Sequence, residues 1–203
     1  MLDDPVHRTI PAEQGPAPGA LGRMWRSAVA AHGSRPWLIE ETSGTVLTYA
    51  EADALIRRRL PEPASMVCRR AEPTVEVALS FWAAMRAGAV FVPVDRSLGD
   101  AAFRRIADFV AESRGNWPPS ADDLAVILFT SGTTGEPKGV ELSHGALGRS
   151  ARLVAETYRF TPDDRLMSLG EFHAMSGLRN PLIATVAAGA SCVLLQAGQR
   201  RHA

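Results

Sequence analysis

The sequence predicts an α/β fold that contains parallel strand pairs. Short apolar segments typical of strands alternate along the chain with longer segments that have helical spacing, and this alternation favours strand–helix–strand units. The run LAVILF at residues 124–129 is apolar throughout, as expected for a strand that is buried on both faces. Gly88 and Gly189 stand where two helices should end, because glycine readily adopts the left-handed conformation that closes many helices.

The predicted helices and strands follow one another in a regular order. Six segments have the apolar spacing or the end signals of helices, and these are residues 19–32, 50–60, 74–87, 100–114, 143–158 and 181–188. Seven short apolar segments are predicted strands, and these are residues 36–40, 45–49, 66–69, 89–94, 124–129, 166–169 and 191–195. Asp100 and Ser143 are predicted helix caps, because their side-chain oxygens can accept hydrogen bonds from free backbone N–H groups.

The composition predicts one domain with short tails. Residues 1–18 are rich in proline and glycine and lack apolar periodicity, so we expect a flexible tail there. We expect a single domain over residues 19–197 and a polar tail over residues 198–203. No apolar run is long enough to span a bilayer, and the first residues do not have the pattern of a secretory signal, so a cytoplasmic protein is expected.

Charge and cysteine content argue against two classes of function. The 22 basic and 22 acidic residues cancel to a net charge of zero, whereas nucleic-acid-binding proteins usually carry a basic patch. Cys68 and Cys192 lie far apart in apolar runs without metal-ligand spacing. We therefore predict that both are buried strand thiols.

A glycine-rich segment follows the predicted buried strand directly, and its residue types suit phosphate binding. It reads TSGTTGEPKG over residues 130–139. Glycines let successive backbone N–H groups point at an anion, and they stand at Gly132, Gly135 and Gly139. Hydroxyl groups can donate to phosphate oxygens or face a metal ion, and they come from Thr130, Ser131, Thr133 and Thr134.

Lys138 supplies the positive charge of this segment, and it is the only lysine among the 22 basic residues. An ammonium group is a compact point charge, whereas a guanidinium group is a broad planar fork. We interpret Lys138 as a phosphate-binding cation that arginine would replace poorly. The spacing excludes a Walker loop, in which four residues separate the first glycine from Gly-Lys-Ser/Thr. A flexible surface loop rich in serine, threonine and glycine is the structural alternative.

Residues 130–140 with Ser143 and His144 resemble the phosphate motif of the adenylate-forming superfamily, T-S-G-T-T-G-x-P-K-G-V followed by a Thr/Ser-His pair. This superfamily of AMP-dependent synthetases and ligases includes acyl-CoA synthetases, luciferase-like enzymes and the adenylation domains of nonribosomal peptide synthetases. Residues 47–55, 76–95 and 170–178 resemble further motifs of the same superfamily. The resemblance covers roughly residues 20–195 and implies a partial AMP-binding domain over residues 19–197.

The resemblance implies ATP-dependent activation of a carboxylic acid as an acyl-adenylate, with Mg²⁺ and with coenzyme A or a phosphopantetheine group as the thiol acceptor. It assigns the ATP phosphates to Thr130, Ser131, Gly132, Thr133, Thr134, Gly135 and Lys138, and it makes Thr130 a candidate Mg²⁺ contact. It places His173 at the pocket for the acid, although a hydrogen-bonded structural histidine is an alternative. His144 is interpreted as a packing residue.

Later motifs of the superfamily are absent from these 203 residues, among them the mobile C-terminal domain and its catalytic lysine. No catalytic residue is therefore assigned. Two hypotheses stay open: part of an acid-activating enzyme that needs a complementing chain, or a non-catalytic homologue that binds a nucleotide or a protein or is an inactive remnant. Because the last helix and strand should leave sheet edges uncovered, we expect a complementing chain, a carrier protein or self-association.

Overall fold

The computed structural model describes residues 19–112, 124–130 and 138–195, with the backbone alone for Thr130. Its α-helices are α1 Ala20–His32, α2 Tyr49–Arg57, α3 Val75–Ala87, α4 Asp100–Glu112, α5 His144–Thr157, α6 Met175–Leu178 and α7 Thr185–Ala188. Its strands are β1 Pro36–Glu40, β2 Thr45–Thr48, β3 Met66–Arg70, β4 Val90–Val94, β5 Leu124–Thr130, β6 Lys138–Ser143, β7 Arg165–Ser168 and β8 Ser191–Leu194. Helices and strands alternate, which confirms the α/β class. Both predicted tails lie outside the described residues.

The described strands form two four-stranded sheets. The first sheet has the order β2-β1-β8-β7, and the second has the order β3-β4-β5-β6. Strand β8 is parallel to both β1 and β7, and β4 is parallel to both β3 and β5. The pairs β1–β2 and β5–β6 are antiparallel. The parallel pairs were predicted, but the division into two sheets was not, because the local pattern of a strand does not identify its neighbours.

Helix α3 lies in the middle of the main apolar core. Thr74 caps it by accepting a hydrogen bond from the backbone N–H of Val77, and Gly88 ends it with a φ of 68°. Ten of its 13 residues are buried, as expected for a helix that is covered on all sides. The largest fully buried side chains of this core are aromatic, and they are Trp25, Trp37, Tyr49, Phe81, Trp82, Phe91 and Phe172. Within the described part of the chain, no helix is long and apolar enough to cross a membrane.

Several segments differ from the sequence prediction, among them the short helix α6, which was not predicted. Strand β6 occupies the end of the glycine-rich segment, where a loop was expected. The predicted helix at 181–188 is π-helical over Arg179–Ala184 and α-helical only from Thr185, since Pro181 has no N–H for the ordinary ladder. Asp100 is the first residue of helix α4 rather than the predicted cap that precedes it. Its carboxylate forms an ion pair with Arg70 at 2.5 Å.

Asp53 joins three helices through its buried carboxylate. It accepts hydrogen bonds from Trp25 Nε1 at 2.9 Å and from Arg57 Nε at 2.8 Å, and it forms an ion pair with Arg86. Burial alone would raise the pKa of Asp53, but the hydrogen bonds from Trp25 and Arg57 and the positive charges of the two arginines outweigh burial. The pKa of Asp53 therefore lies below its ordinary value, and the network linking α1, α2 and α3 is ionic at neutral pH.

The two cysteines differ in exposure. Cys192 is buried in β8 as predicted, whereas Cys68 in β3 is only half-buried. Burial raises the pKa of the Cys68 thiol to about 11, and it also raises the pKa of Cys192. We expect both thiols to react slowly with a disulfide reagent at pH 8, because roughly one Cys68 thiol in a thousand is then ionised. Rapid labelling of either thiol before denaturant is added would contradict this.

Candidate functional site

Two antiparallel strands bracket the glycine-rich segment. Strand β5 is buried from Leu124 to Leu128, and it pairs with β6 in a register that sets Thr130 opposite Lys138. Residues that face each other across an antiparallel pair lie about 4.5–5.5 Å apart. Thr130 and Lys138, the residues that flank segment 131–137, therefore lie side by side at the carboxyl end of a buried strand.

The structure describes two of the seven residues that the sequence assigned to ATP phosphates. Lys138 begins β6 and is exposed, and Thr130 ends β5. The other five lie outside the described residues, and they are Ser131, Gly132, Thr133, Thr134 and Gly135. Their contacts with phosphate remain predictions, as do those of Thr130 and Lys138.

Gly139 has a packing role that the sequence did not indicate. It lies in β6 opposite Phe129, and a Cβ atom at this position would be 2.9 Å from Cγ2 of Ile127. The sequence analysis assigned this glycine to a turn around an anion. In the structure it allows β6 to lie closely against the side chains of β5.

Two charged residues follow strand β4, which is parallel to β5. They are Asp95 and Arg96. The backbone N–H of Ser97 donates to Asp95 Oδ1 at 2.8 Å, which fixes the turn after the strand. Because parallel strands have their carboxyl ends at one edge of the sheet, where ligands bind in open α/β folds, both residues lie at the edge that carries Thr130.

The carboxylate of Asp95 is ionised at neutral pH. Partial burial would raise the pKa of Asp95, but hydrogen bonds from Ser97 and the charges of His173 and Arg96 outweigh burial and hold this pKa below its ordinary value. A negative charge is therefore present at the sheet edge throughout the neutral range.

His173 reaches this edge from the connection between β7 and α6. Its Nε2 atom is 3.7 Å from Asp95 Oδ2, and its side chain is 26% exposed. Its Nδ1 atom is buried and has no hydrogen-bond partner among the residues that the structure describes. The nearby Glu171 forms an ion pair with Arg96, with 3.3 Å between Oε1 and Nη2. Asp95 therefore links the predicted acid-pocket histidine to the edge that carries the glycine-rich segment.

His144 has the packing role that was predicted for it. It is the first residue of α5 and is 1% exposed. Gly19 lies so close that a Cβ atom there would be 2.6 Å from the imidazole ring. Ser143 caps α5 by accepting a hydrogen bond from the backbone N–H of Ala146, as predicted. The Ser-His pair thus fixes the start of α5 behind the hairpin.

Metal binding by side chains alone finds no support in residues 19–112, 124–130 and 138–195. These ranges contain no group of three histidine, cysteine, aspartate or glutamate side chains that could hold a metal ion. Mg²⁺ that accompanies a nucleotide takes most of its ligands from phosphates and water and needs only one or two from protein. The expected Mg²⁺ is therefore compatible with a site built around the nucleotide.

Sequence reasoning missed Asp95, Arg96 and Glu171 as parts of this site. Arg96 and Glu171 are 75 positions apart, so no local motif connects them. One local signal was present: Glu171 and His173 flank Phe172, which is fully buried. A buried residue between two polar ones indicates that both polar side chains emerge from the core in a similar direction.

Comparison with known sequences agrees with the motif. A family model described as AMP-binding enzyme matches residues 107–203. Novobiocin biosynthesis protein H of Streptomyces niveus is 27% identical over an alignment of 237 positions. The alignment covers 92% of this chain and 38% of the relative. Pyochelin synthetase PchF of Pseudomonas aeruginosa is 36% identical over 114 residues, which cover 53% of this chain and 6% of the relative. The chain thus spans well under half the length of these relatives.

Solved structures share the fold. Apo MatB from Rhodopseudomonas palustris has a TM-score of 0.66 and 24% identity, over 87% of this chain and 45% of MatB. The N-terminal subdomain of NpsA from Klebsiella oxytoca, in complex with 3-hydroxybenzoyl-AMSN, has a TM-score of 0.68 and 18% identity, over 88% of this chain and 54% of that one. The chain therefore shares its fold with about half of each of these two proteins.

Proposed function

We propose that this chain is the N-terminal part of an adenylate-forming enzyme. In this proposal it binds the phosphates of ATP while a carboxylic acid is activated as its acyl-adenylate. The observation that carries the proposal is the pairing of Thr130 with Lys138 across β5 and β6. This pairing sets the only lysine of the chain beside the start of a segment rich in glycine and hydroxyl side chains. Because the residues on either side of this segment are paired in a hairpin, we favour anion binding over the alternative of a flexible surface loop.

In the proposed reaction these residues stabilise the leaving pyrophosphate. A carboxylate oxygen of the acid attacks the α-phosphorus of ATP, the bond to the bridging oxygen of pyrophosphate breaks, and pyrophosphate leaves with the electron pair. Negative charge then grows on the leaving group, and donors that are already in place stabilise it. Lys138, the hydroxyls and the backbone N–H groups of residues 130–135 take this role in our proposal, with Thr130 as a contact of Mg²⁺.

The acid is bound separately from the phosphates. We assign His173 to the acid pocket, because its side chain is 26% exposed beside Asp95 at the sheet edge. The acceptor of the activated acyl group is a thiol, either of coenzyme A or of a phosphopantetheine on a carrier protein, as the resemblance to the superfamily implies. The specific acid is set by residues outside these 203, and we propose that a second polypeptide supplies them.

The same partner supplies the catalytic lysine. Lys138 is the only lysine in the sequence, and in our proposal it binds the phosphates. These 203 residues contain no other ammonium side chain that could neutralise the carboxylate and the α-phosphate as they meet. We therefore propose that this chain binds ATP by itself and activates an acid only with a complementing chain.

Calorimetric titration of Mg-ATP tests the proposal directly. We expect weak binding to the wild-type chain and a loss of about 1.5–3 kcal/mol in Lys138→Ala, because a hydrogen-bonded charge is removed. This corresponds to roughly a ten- to hundredfold weaker Kd. Lys138→Arg should recover only part of the loss, since the guanidinium fork does not replace a point charge.

Arg26→Ala is the matched control, because it removes one positive charge from an exposed position on α1. Its Kd should equal that of the wild type. Equal weakening by both variants would mean that only the overall charge matters. A wild-type chain that binds no ATP would reject the proposal and leave the non-catalytic role, binding to a partner protein, as the better account.

A further inference from the structure

The connection between β7 and α6 is a compact segment with a buried anchor. Phe172 is fully buried, and the residues on either side, Glu171 and His173, carry the polar side chains. The segment closes on itself: the backbone N–H of Ala174 donates to the carbonyl oxygen of Glu171 at 3.0 Å. Phe172 therefore fixes the depth of the segment, but a single apolar anchor leaves its rotation to the flanking contacts.

Two charged contacts of these flanking residues go to one turn of the other sheet. Glu171 pairs with Arg96 at 3.3 Å and His173 lies 3.7 Å from Asp95. Asp95 and Arg96 are adjacent in the chain, and the two residues that they contact lie on either side of Phe172. Two neighbouring residues after β4, of opposite charge, thus meet two residues of the β7–α6 segment, also of opposite charge when His173 is protonated.

The order of the charges permits only one alignment of the two segments. Glu171 opposite Arg96 is attractive, whereas Glu171 opposite Asp95 would be repulsive. A shift of the segment would therefore replace attraction by repulsion. The Arg96–Glu171 pair is also partly shielded, with side chains that are 34% and 25% exposed, so solvent screens it less than a fully exposed pair.

We propose that Asp95 and Arg96 are positioning residues, which hold the β7–α6 segment in one alignment and thereby set the orientation of the His173 ring at the acid pocket. This inference rests on the proposed function for the role of His173. In this proposal, Asp95 and Arg96 connect the acid pocket to the edge of the second sheet, where the phosphate segment begins. Neither residue touches ATP or the acid in this proposal.

Hydrogen exchange of the segment, followed by mass spectrometry, tests the alignment. Arg96→Glu and Glu171→Arg should each speed exchange in peptides over residues 169–178, by roughly two- to fivefold, which is the scale of a modest ion pair. The double variant Arg96→Glu with Glu171→Arg restores the attraction with reversed sign. It should bring exchange close to the wild-type rate, an effect that loss of packing alone would not produce.

Asp95→Asn tests the second contact with little change in shape. The amide oxygen can still accept the hydrogen bond from Ser97, so the turn is kept while the charge is lost. We expect a shifted NMR signal for the His173 ring and faster exchange in residues 169–178, with no change in peptides over α3. The proposal would be overturned if none of the single variants changed the exchange rate of residues 169–178. It would also be overturned if the acceleration of exchange in the double variant equalled the combined accelerations of the two single variants.

Titration of the same variants with Mg-ATP separates this inference from the proposed function. The positioning residues should leave ATP binding within about twofold of the wild type, a change of under about 0.5 kcal/mol. If the wild-type chain binds no ATP but the charge reversal still restores protection, the proposed function fails and the alignment stands. If ATP binds and the reversal restores nothing, the alignment fails alone.

Discussion

Asp53→Asn is expected to lower the free energy of unfolding by about 3 kcal/mol, because it leaves a nearly buried arginine without its charge partner. The side chain of Arg86 is 15% exposed, and that of Asp53 is 8% exposed. Asparagine keeps the size of the side chain and one oxygen that can accept from Trp25, so the loss reports mainly on charge. Denaturant unfolding followed by tryptophan fluorescence measures it.

Two variants serve as controls for Asp53→Asn. Asp108→Asn makes the same chemical change at an exposed position of α4 and should alter stability by less than about 0.5 kcal/mol. Arg57→Ala removes the other arginine, whose side chain is 58% exposed, and a pair so open to solvent should cost under about 1 kcal/mol. A loss for Asp53→Asn no larger than that for Asp108→Asn would show that the network adds nothing.

The same network predicts how stability changes with pH. The pKa of Asp53 is lower in the folded chain than its ordinary value, so the folded state binds its proton less readily than the unfolded state does. The stabilisation is present above the ordinary carboxyl pKa and is lost as pH falls through the lower folded value. The stability difference between the wild type and Asp53→Asn should therefore shrink on acidification within the acid range.

The local elements of the fold follow closely from the sequence, because their signals are local. Helix α3 was predicted from Thr74 to Ala87, and the structure has it over Val75–Ala87 with Thr74 as its cap. Strand β6 was missed because its first residues, Lys138 and Gly139, read as the end of a phosphate loop. The pairing with β5 overrides that local pattern, since it satisfies the backbone groups of both strands.

Contacts between distant residues did not follow from the sequence. Asp53 accepts from Trp25 and pairs with Arg86, which lie 28 and 33 positions away. Each of these residues has an unremarkable local context on the polar or apolar side of a helix. The candidate site has the same character: residues 130–138 could be recognised as one motif, whereas the contact of His173 with Asp95 depends on how the two sheets are placed. The sequence therefore identifies the glycine-rich segment as one motif, but it does not reveal which residues lie next to His173.

Gly177→Ala is expected to destabilise the chain by about 3 kcal/mol, because a Cβ atom there would overlap the backbone carbonyl oxygen of Glu171. That oxygen belongs to the backbone and cannot move aside as the end of a flexible side chain could. The same close approach is seen from Gly170, where a Cβ atom would be 2.7 Å from the Cα atom of Gly177. The substitution must therefore push the segment that carries His173 away from α6. Denaturant unfolding measures the loss, and faster hydrogen exchange in residues 169–178 locates it.

Gly148→Ala provides the matched control with the opposite expected sign. Gly148 lies inside α5, and a Cβ atom there would make ordinary contacts at 3.7 Å with Leu21, Met24 and Arg152. Alanine is favoured over glycine within a helix by about 0.5–1 kcal/mol, so this variant should be more stable than the wild type. If Gly177→Ala is tolerated as well as Gly148→Ala, the segment can shift without cost, and the orientation of His173 does not depend on its close packing. If only Gly177→Ala is destabilising, the tight turn next to Phe172 is what holds His173, the proposed acid-pocket histidine, in place.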